Sequence, residues 1–255
     1  MIGYIYSSSL RLFTRPGRVM TWLVVVMLLA ALSRWLQSEL TATTPGETYA
    51  QLSNLFSYRV LALAGAIFSA AVTSQEVEQK TIVYLLTRPV ARWKMLTGRI
   101  LAAATITFVI GALSLILVSI VIPGVGPMSS LVLRDLVAFA VGALAYVVLF
   151  VFVSLIINKS MIFCLLFAFA WELAVPSMPG SIYFLSITTY LNGIAGHGDG
   201  GVIPALFGGS NVLGASQQIA VWVGWTVMIG LISAVGGLSL WWFSRFEFVP
   251  REDTE

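Results

Sequence analysis

The sequence predicts an all-α membrane protein: six transmembrane helices, an N-terminal interfacial helix and a further helix on the cytoplasmic face, together forming a single transmembrane domain over residues 1–255. Three observations lead there. Of 255 residues, 58% are hydrophobic and only 10% are charged, whereas ordinary soluble domains carry roughly 25% charged residues. Mean hydropathy is +0.94. Apolar runs of bilayer length recur along the chain, and the basic residues between them fall almost entirely on alternate connections.

The elements follow in order. Residues 1–18 mix aromatics, serines and arginines around Pro16, the composition of a short helix lying in the interface. Arg11, Arg15 and Arg18 precede the apolar run Val19–Leu32, an arrangement shared with secretory signals. An uncleaved first span is expected instead, because more spans follow and Trp35 and Leu36 extend the run. Spans are expected at about 20–36, 55–73, 96–122, 135–157, 160–176 and 217–243. Crossing roughly 30 Å of hydrocarbon takes about 20 residues. The fifth run is short and the third and sixth are long, so tilt or irregularity is expected.

Lysine and arginine placement sets the orientation. Six spans put Arg11, Arg15, Arg18, Lys80, Arg88, Arg92, Lys94, Arg99, Lys159, Arg245 and Arg251 on one side, and only Arg34, Arg59 and Arg134 on the other. Eleven against three places both termini in the cytoplasm by the positive-inside rule, in a multi-pass protein of the cytoplasmic (plasma) membrane in contact with its lipid. The tryptophans agree: Trp22, Trp93, Trp241 and Trp242 fall at cytoplasmic span ends, and Trp35, Trp171, Trp222 and Trp225 toward outer ends.

Net charge is +3, but the basic residues sit beside apolar runs and not on a polar face, so nucleic acid is not an expected partner. Cys164 is the single cysteine, which excludes an internal disulfide and a multi-cysteine metal site. The long outer region 177–216 runs from Pro179 into a glycine-rich stretch. A short helix or re-entrant turn packed on protein is expected there, because lipid does not tolerate unsatisfied backbone. His197 and Asp199 fall in the glycine-rich stretch. They read as a flexible loop and make a poor metal site, so no metal is expected.

The most informative segment is 74–99, SQEVEQKTIVYLLTRPVARWKMLTGR, which holds five of the fourteen basic residues between two apolar runs. Thr73 with Glu76 fits a capping box and predicts a helix start just inside the membrane. Val77, Thr81, Tyr84 and Leu85 recur at helical spacing, and Pro89 disfavours helical geometry at Arg88. Such an amphipathic helix suits either a groove on a partner, with Glu76, Glu78, Arg88 and Arg92 at the rim, or a lipid surface.

The pattern Glu-x-Glu-Gln-x-Thr, then Leu-Leu-x-Arg-Pro, then Arg and Gly-Arg resembles the cytoplasmic loop after the second membrane helix of ABC-2-type transporter permeases. The matching positions are Glu76, Glu78, Thr81, Leu85, Leu86, Arg88, Pro89, Arg92 and Gly98, with Arg99 where the family usually has lysine. The run ending Asn-Lys-Ser at 158–160 is similar to the end of the family's fourth helix. Leu-Ser-Ile-Thr-Thr-Tyr at 185–190 more loosely resembles its outer region.

The resemblance implies a coupling helix over 74–92 that docks a separate ATP-binding cassette subunit through Glu76, Val77, Glu78, Thr81, Leu85, Leu86, Arg88, Pro89 and Arg92. It implies a permease subunit of an exporter that pairs with a second permease subunit, as a homodimer, and is not itself an enzyme. This chain is expected to bind no cofactor, with ATP and Mg held by the partner. Indeed none of its three lysines, Lys80, Lys94 and Lys159, has the glycine-rich context of a phosphate loop.

Charges inside spans are costly and mark functional candidates. Arg34, Arg59 and Glu172 all fall about 20 Å from the cytoplasmic end at 1.5 Å per residue. They are candidates for an outer cavity, with Glu172 paired to an arginine. Two other readings stay open. One is a permease-like subunit that transmits force to, or assists maturation of, an extracytoplasmic partner through 177–216. The other is an ATP-independent carrier or channel, which would call for more broken helices at the midplane.

Overall fold

The structure, a computed structural model, describes residues 2–39, 44–78, 92–157, 160–175, 181–197 and 219–245. Among these the fold is all-helical, without strands. The helices are α1 (Ile2–Phe13), α2 (Pro16–Glu39), α3 (Pro45–Leu52), α4 (Tyr58–Glu78), α5 (Arg92–Val121), α6 (Ser130–Ile156), α7 (Ser160–Leu166), α8 (Glu172–Ala174), α9 (Ile187–Ala195) and α10 (Val221–Arg245). Two π-helical turns, Ser53–Ser57 and Phe167–Trp171, join α3 to α4 and α7 to α8.

Five helical stretches are long and apolar enough to cross a membrane: Pro16–Gln37, Pro45–Val72, Trp93–Val121, Ser130–Ile156 and Val221–Arg245. The other apolar helix, Ser160–Trp171, is shorter. It coincides with the short fifth run of the sequence. The chain is a multi-pass helical membrane protein.

Helix α6 is the hub. It has the highest mean hydropathy of the five, 2.8, and packs against α4, α5, α7, α9 and α10. Small residues let its neighbours approach closely, as at helix interfaces in lipid generally. A Cβ on Gly65 would stand 3.0 Å from Tyr146 Cβ, and one on Gly142 would stand 2.7 Å from Leu191 Cδ1. The core runs through Leu61, Leu115, Phe139, Tyr146, Phe150 and Leu191. By contrast α2 and α10 turn large apolar side chains outward, with Met27 66% and Trp222 69% exposed.

Successive long helices alternate in direction. Arg99, early in α5, donates to the carbonyl of Val72 late in α4. At the opposite end α3 meets the start of α6. The first of these is called the basic end below, and the second the far end.

Helix α1 does more than float at an interface. It packs against α5: the Tyr6 hydroxyl donates to Thr105 Oγ1 at 3.2 Å. Phe13 sets its ring edge-on to Phe68, which also stacks with Trp22.

Two helix boundaries differ from what the sequence suggested. Thr73 does not open a new helix, since α4 continues through it to Glu78. Nothing between Val72 and Glu78 breaks a helix, so its amide groups already bond to the preceding turn and need no cap. A capping box operates instead ahead of α3. The Thr44 N–H donates to Glu47 Oε2 at 3.3 Å, and Pro45 fills the first helical position. The second apolar stretch therefore starts at Pro45, a full turn and more before the run of aliphatic residues.

Candidate functional site

The far end holds a continuous set of buried polar contacts around two carboxylates, Asp135 and Glu172, both fully buried. Taking a carboxylate out of water costs several kcal/mol, which only good hydrogen bonds and nearby positive charge can offset. Both carboxylates have the hydrogen bonds.

Asp135 lies one and a half turns into α6, whose start is fixed by Ser129: its Oγ accepts from the Val132 N–H at 3.4 Å. Tyr58, from the first turn of α4, donates its hydroxyl to Asp135 Oδ1 at 2.8 Å. Tyr49 of α3 donates to Oδ2 at 2.8 Å. His197 Nε2 stands 2.7 Å from Oδ1. The π-turn between α3 and α4 lets Tyr49 and Tyr58, nine residues apart, address the two oxygens of one carboxylate.

His197 reaches this site by the way α9 ends. Gly196 has φ +75°, where a side chain would be strained. Its N–H bonds to the Gly193 carbonyl and the His197 N–H to the Asn192 carbonyl, a Schellman ending that turns the chain back toward α6. His197 is thus a buried partner of an acid, and not part of a free loop as its glycine-rich surroundings suggested. Asp199 lies outside the described residues.

Glu172 joins two helix ends. Its carboxylate sits at the start of α9, where Oε1 accepts the Ile187 N–H at 3.1 Å and Oε2 accepts the Thr188 N–H at 3.3 Å. The hydroxyls of Ser186 and Thr188 each donate to Oε2 at 2.6 Å. A negative charge here also meets the positive end of the helix dipole. Its backbone carbonyl, one of the last acceptors of the α7–α8 helix, is taken by the Arg59 guanidinium through Nη1. A cation at that end is favoured for the same reason. Thr188 passes the network to Tyr146 of α6, hydroxyl to hydroxyl at 3.0 Å. One turn further along α9, Asn192 Nδ2 donates to Asn54 Oδ1 at 3.1 Å, and Asn54 belongs to the first π-turn.

The sequence-derived candidates are thus dispersed. Arg59 and Glu172 come together, through the glutamate's carbonyl and not as a carboxylate–guanidinium contact. Arg34 stands on an exposed part of α2 and donates to Gln37 Oε1 at 3.1 Å. Glu76, Val77 and Glu78 form the last turn of α4, and Arg92 opens α5. Thr81, Leu85, Leu86, Arg88 and Pro89 lie outside the described residues.

Asp135, Tyr49, Tyr58 and His197 were not singled out together from sequence. Asp135 was placed at a span boundary, whereas α6 starts at Ser130 and carries it inside the apolar helix. The signal available was Ser129, a capping residue one and a half turns earlier, ahead of a run that is apolar apart from Arg134 and Asp135. Among the described residues no three His, Cys, Asp or Glu side chains gather as metal ligands.

A bundle of alternating apolar helices with carboxylates and arginine buried near one end defines an integral membrane protein with a polar network at one end of an apolar core. The chain belongs to the ABC-2 transporter family: the family model described as ABC-2 family transporter protein matches residues 18–193. The match runs from the start of α2 into α9 and includes Arg59, Asp135 and Glu172. A search of curated proteins finds no match to the chain.

Proposed function

We propose that this chain is the membrane-spanning subunit of an ATP-driven exporter, working as a homodimer with a separate ATP-binding subunit on each copy. Membership of the ABC-2 family carries this reading. The family's permeases work with an ATP-binding partner, and the docking segment proposed here is 74–92. Helix α4 ends at Glu78 and α5 begins at Arg92, both at the basic end. ATP and Mg belong to the partner. Closure of the ATP-binding subunits pushes on 74–92 and tilts α4 and α5, which carry the motion to α6 and so to the far end. There Arg59 and Glu172 support the outer end of the pathway, with Arg34 nearer its rim.

The test is binding and ATP turnover in the purified complex. Leu85→Asp places a carboxylate in an apolar contact, which is costly without a partner. An exposed rim charge is worth less than about 1 kcal/mol. Leu85→Asp should therefore lose the ATP-binding subunit in pull-down and abolish coupled hydrolysis, while Lys80→Ala keeps most of both. Full binding and turnover by Leu85→Asp would show that 74–92 does not dock the motor.

A further inference from the structure

The far end buries its charges, whereas the basic end carries exposed ones. Arg11, Arg15 and Arg18 are all exposed, and none of the three has an ion-pair partner among the described residues. No acidic residue precedes Glu39 in the chain. The three sit where α1 turns into α2: Arg11 on α1, Arg15 between the helices and Arg18 in the first turn of α2. Arg11 is about 200° around the helix from Phe13. The Phe13 ring packs against Phe68, so Arg11 stands on the face turned away from the protein.

Their level in the membrane follows from their neighbours. Phe68, one turn from Val72 on α4, touches both Phe13 and Trp22. The turn between α1 and α2 is therefore held beside the basic end, and Tyr6 fastens the other half of α1 to α5. Beyond Arg18 the exposed face of α2 becomes apolar, with Met20, Leu23, Val24 and Met27 turned outward. At about 1.5 Å per residue the hydrocarbon edge lies within roughly one turn of Arg18. A guanidinium is costly in hydrocarbon, so these groups stand in the layer of the headgroup phosphates. Two more cations mark that layer. Lys94 Nζ lies 5.3 Å from the ring centre of Trp93 and Arg245 lies 5.4 Å from that of Trp241, both tryptophans being exposed.

We propose that the turn between α1 and α2 is a binding surface for anionic phospholipid, with Arg11, Arg15 and Arg18 as the groups that recognise the headgroup. Guanidinium groups meet phosphate oxygens through paired N–H donors. A zwitterionic headgroup brings its own cation, which three unpaired arginines repel and no acid in this part of the chain accepts. An anionic headgroup brings none, so the selection is by net charge. The occupant is lipid because the exposed surface that continues from the cations is the apolar face of a membrane-length helix, Pro16–Gln37, which acyl chains cover and a soluble protein cannot follow. Because α1 is fastened to α5 and Phe13 to α4, lipid held here also braces the two helices that flank 74–92. The proposal does not depend on the motor or on the direction of transport.

The experiment is native mass spectrometry of the full chain in detergent, titrated with phosphatidylglycerol or with phosphatidylcholine of the same acyl chains. A basic residue beside an anionic headgroup layer is worth about fivefold in affinity, so the native protein should prefer phosphatidylglycerol by about tenfold or more. Replacing all three arginines, Arg11→Gln, Arg15→Gln and Arg18→Gln, should bring the preference below about threefold. The matching lysine triple keeps the charge and should keep the preference. Arg34→Gln, at the far end, should leave it unchanged. Should the glutamine triple not fold, Arg15→Gln alone decides, with an expected loss of about fivefold. The proposal is overturned if the native protein shows no preference, if the glutamine variants retain it, or if Arg34→Gln lowers it as much. Equal loss in the lysine triple would show that packing and not charge is at work, and overturns it too. If the glutamine triple loses an ATP-binding subunit in pull-down while keeping its preference for phosphatidylglycerol, the face belongs to a protein partner and the lipid assignment is wrong.

Discussion

Replacing Asp135 by alanine is the sharpest test of whether the far-end network holds the bundle together. The substitution removes the acceptor of two tyrosine hydroxyls and the partner of His197, at 2.8, 2.8 and 2.7 Å. Each hydrogen bond to a charged group is worth about 1.5–3 kcal/mol, and the groups left behind are buried. The three share one carboxylate, so their sum overstates the effect; the expected loss is about 3–5 kcal/mol, the range for removing one member of a buried charged pair. For a chain of this size that corresponds to a midpoint lower by roughly 6–20 °C. Asp135→Asn keeps the volume and one carbonyl acceptor, and Tyr49 can turn its hydroxyl to accept from the new amide, so about 1–2 kcal/mol is expected. Thermal unfolding of the nanodisc-embedded protein, followed by tryptophan fluorescence, measures both. A double-mutant cycle with Tyr49→Phe supplies the control: its cost should be about 1.5–3 kcal/mol in the native background and close to zero once Asp135 is alanine. A midpoint for Asp135→Ala within about 1 °C of the native protein would refute the reasoning, as would equal costs of Tyr49→Phe in the two backgrounds.

Other consequences concern packing. Gly142→Ala puts a methyl 2.7 Å from Leu191 Cδ1 and 3.0 Å from Leu61 Cδ2, so α9 and α4 must both give way. About 1–3 kcal/mol of destabilisation is expected in the same unfolding assay. Gly236→Ala meets only Val148 Cγ1 at 3.6 Å and should be neutral or stabilising by up to about 1 kcal/mol, since alanine is the better helix former. Equal effects of the two would show that the close approach of α6, α4 and α9 is not as described. Tyr6→Phe removes the hydroxyl contact to Thr105 and should cost about 0.5–1.5 kcal/mol, with a rise in proteolysis at the start of the chain. An unchanged protease pattern and midpoint would mean α1 is held by lipid alone.

Much of the architecture was readable from the chain because the bilayer enforces it. A run such as 135–157 has to be helical to satisfy its own backbone, and its length sets where it can begin and end. The basic segment between α4 and α5 stood out for the same reason. Local irregularities were harder to see. Neither π-turn has a sequence signature: Ser53–Ser57 and Phe167–Trp171 contain no proline or glycine. Arg59 meets the backbone of Glu172 in the structure, but a depth counted along the sequence does not give azimuth. Which atoms meet depended on the two bulges and on the C-terminal turn of α9. The partner of His197 was hidden for another reason. Its immediate neighbours are glycines, and the acid it approaches is 62 residues away. The helix that carries both Asp135 and the hub contacts was drawn too short at its start, and Thr44-Pro45-Gly46-Glu47, a complete start signal, lay in a segment assigned to a loop.

The two π-turns also make the far-end site sensitive to chain length. Each turn holds a residue more than an α-helix of the same rise would, and everything after it is rotated about the axis accordingly. Consecutive residues in an α-helix are about 100° apart. Deleting Leu55 would let the α3–α4 stretch relax to regular α geometry with Tyr49, Tyr58 and Arg59 close to their present faces, whereas inserting a residue after Leu55 has no such slack and would swing Tyr49 relative to Tyr58 and Arg59 by about that angle. One of the two tyrosines would lose Asp135, or the arginine would lose the end of α8. A single-codon insertion that leaves the helix content and hydropathy of this span almost untouched would thus disassemble the site. The spacing between Pro45 and Arg59 is itself part of the machinery, as much as any side chain in it.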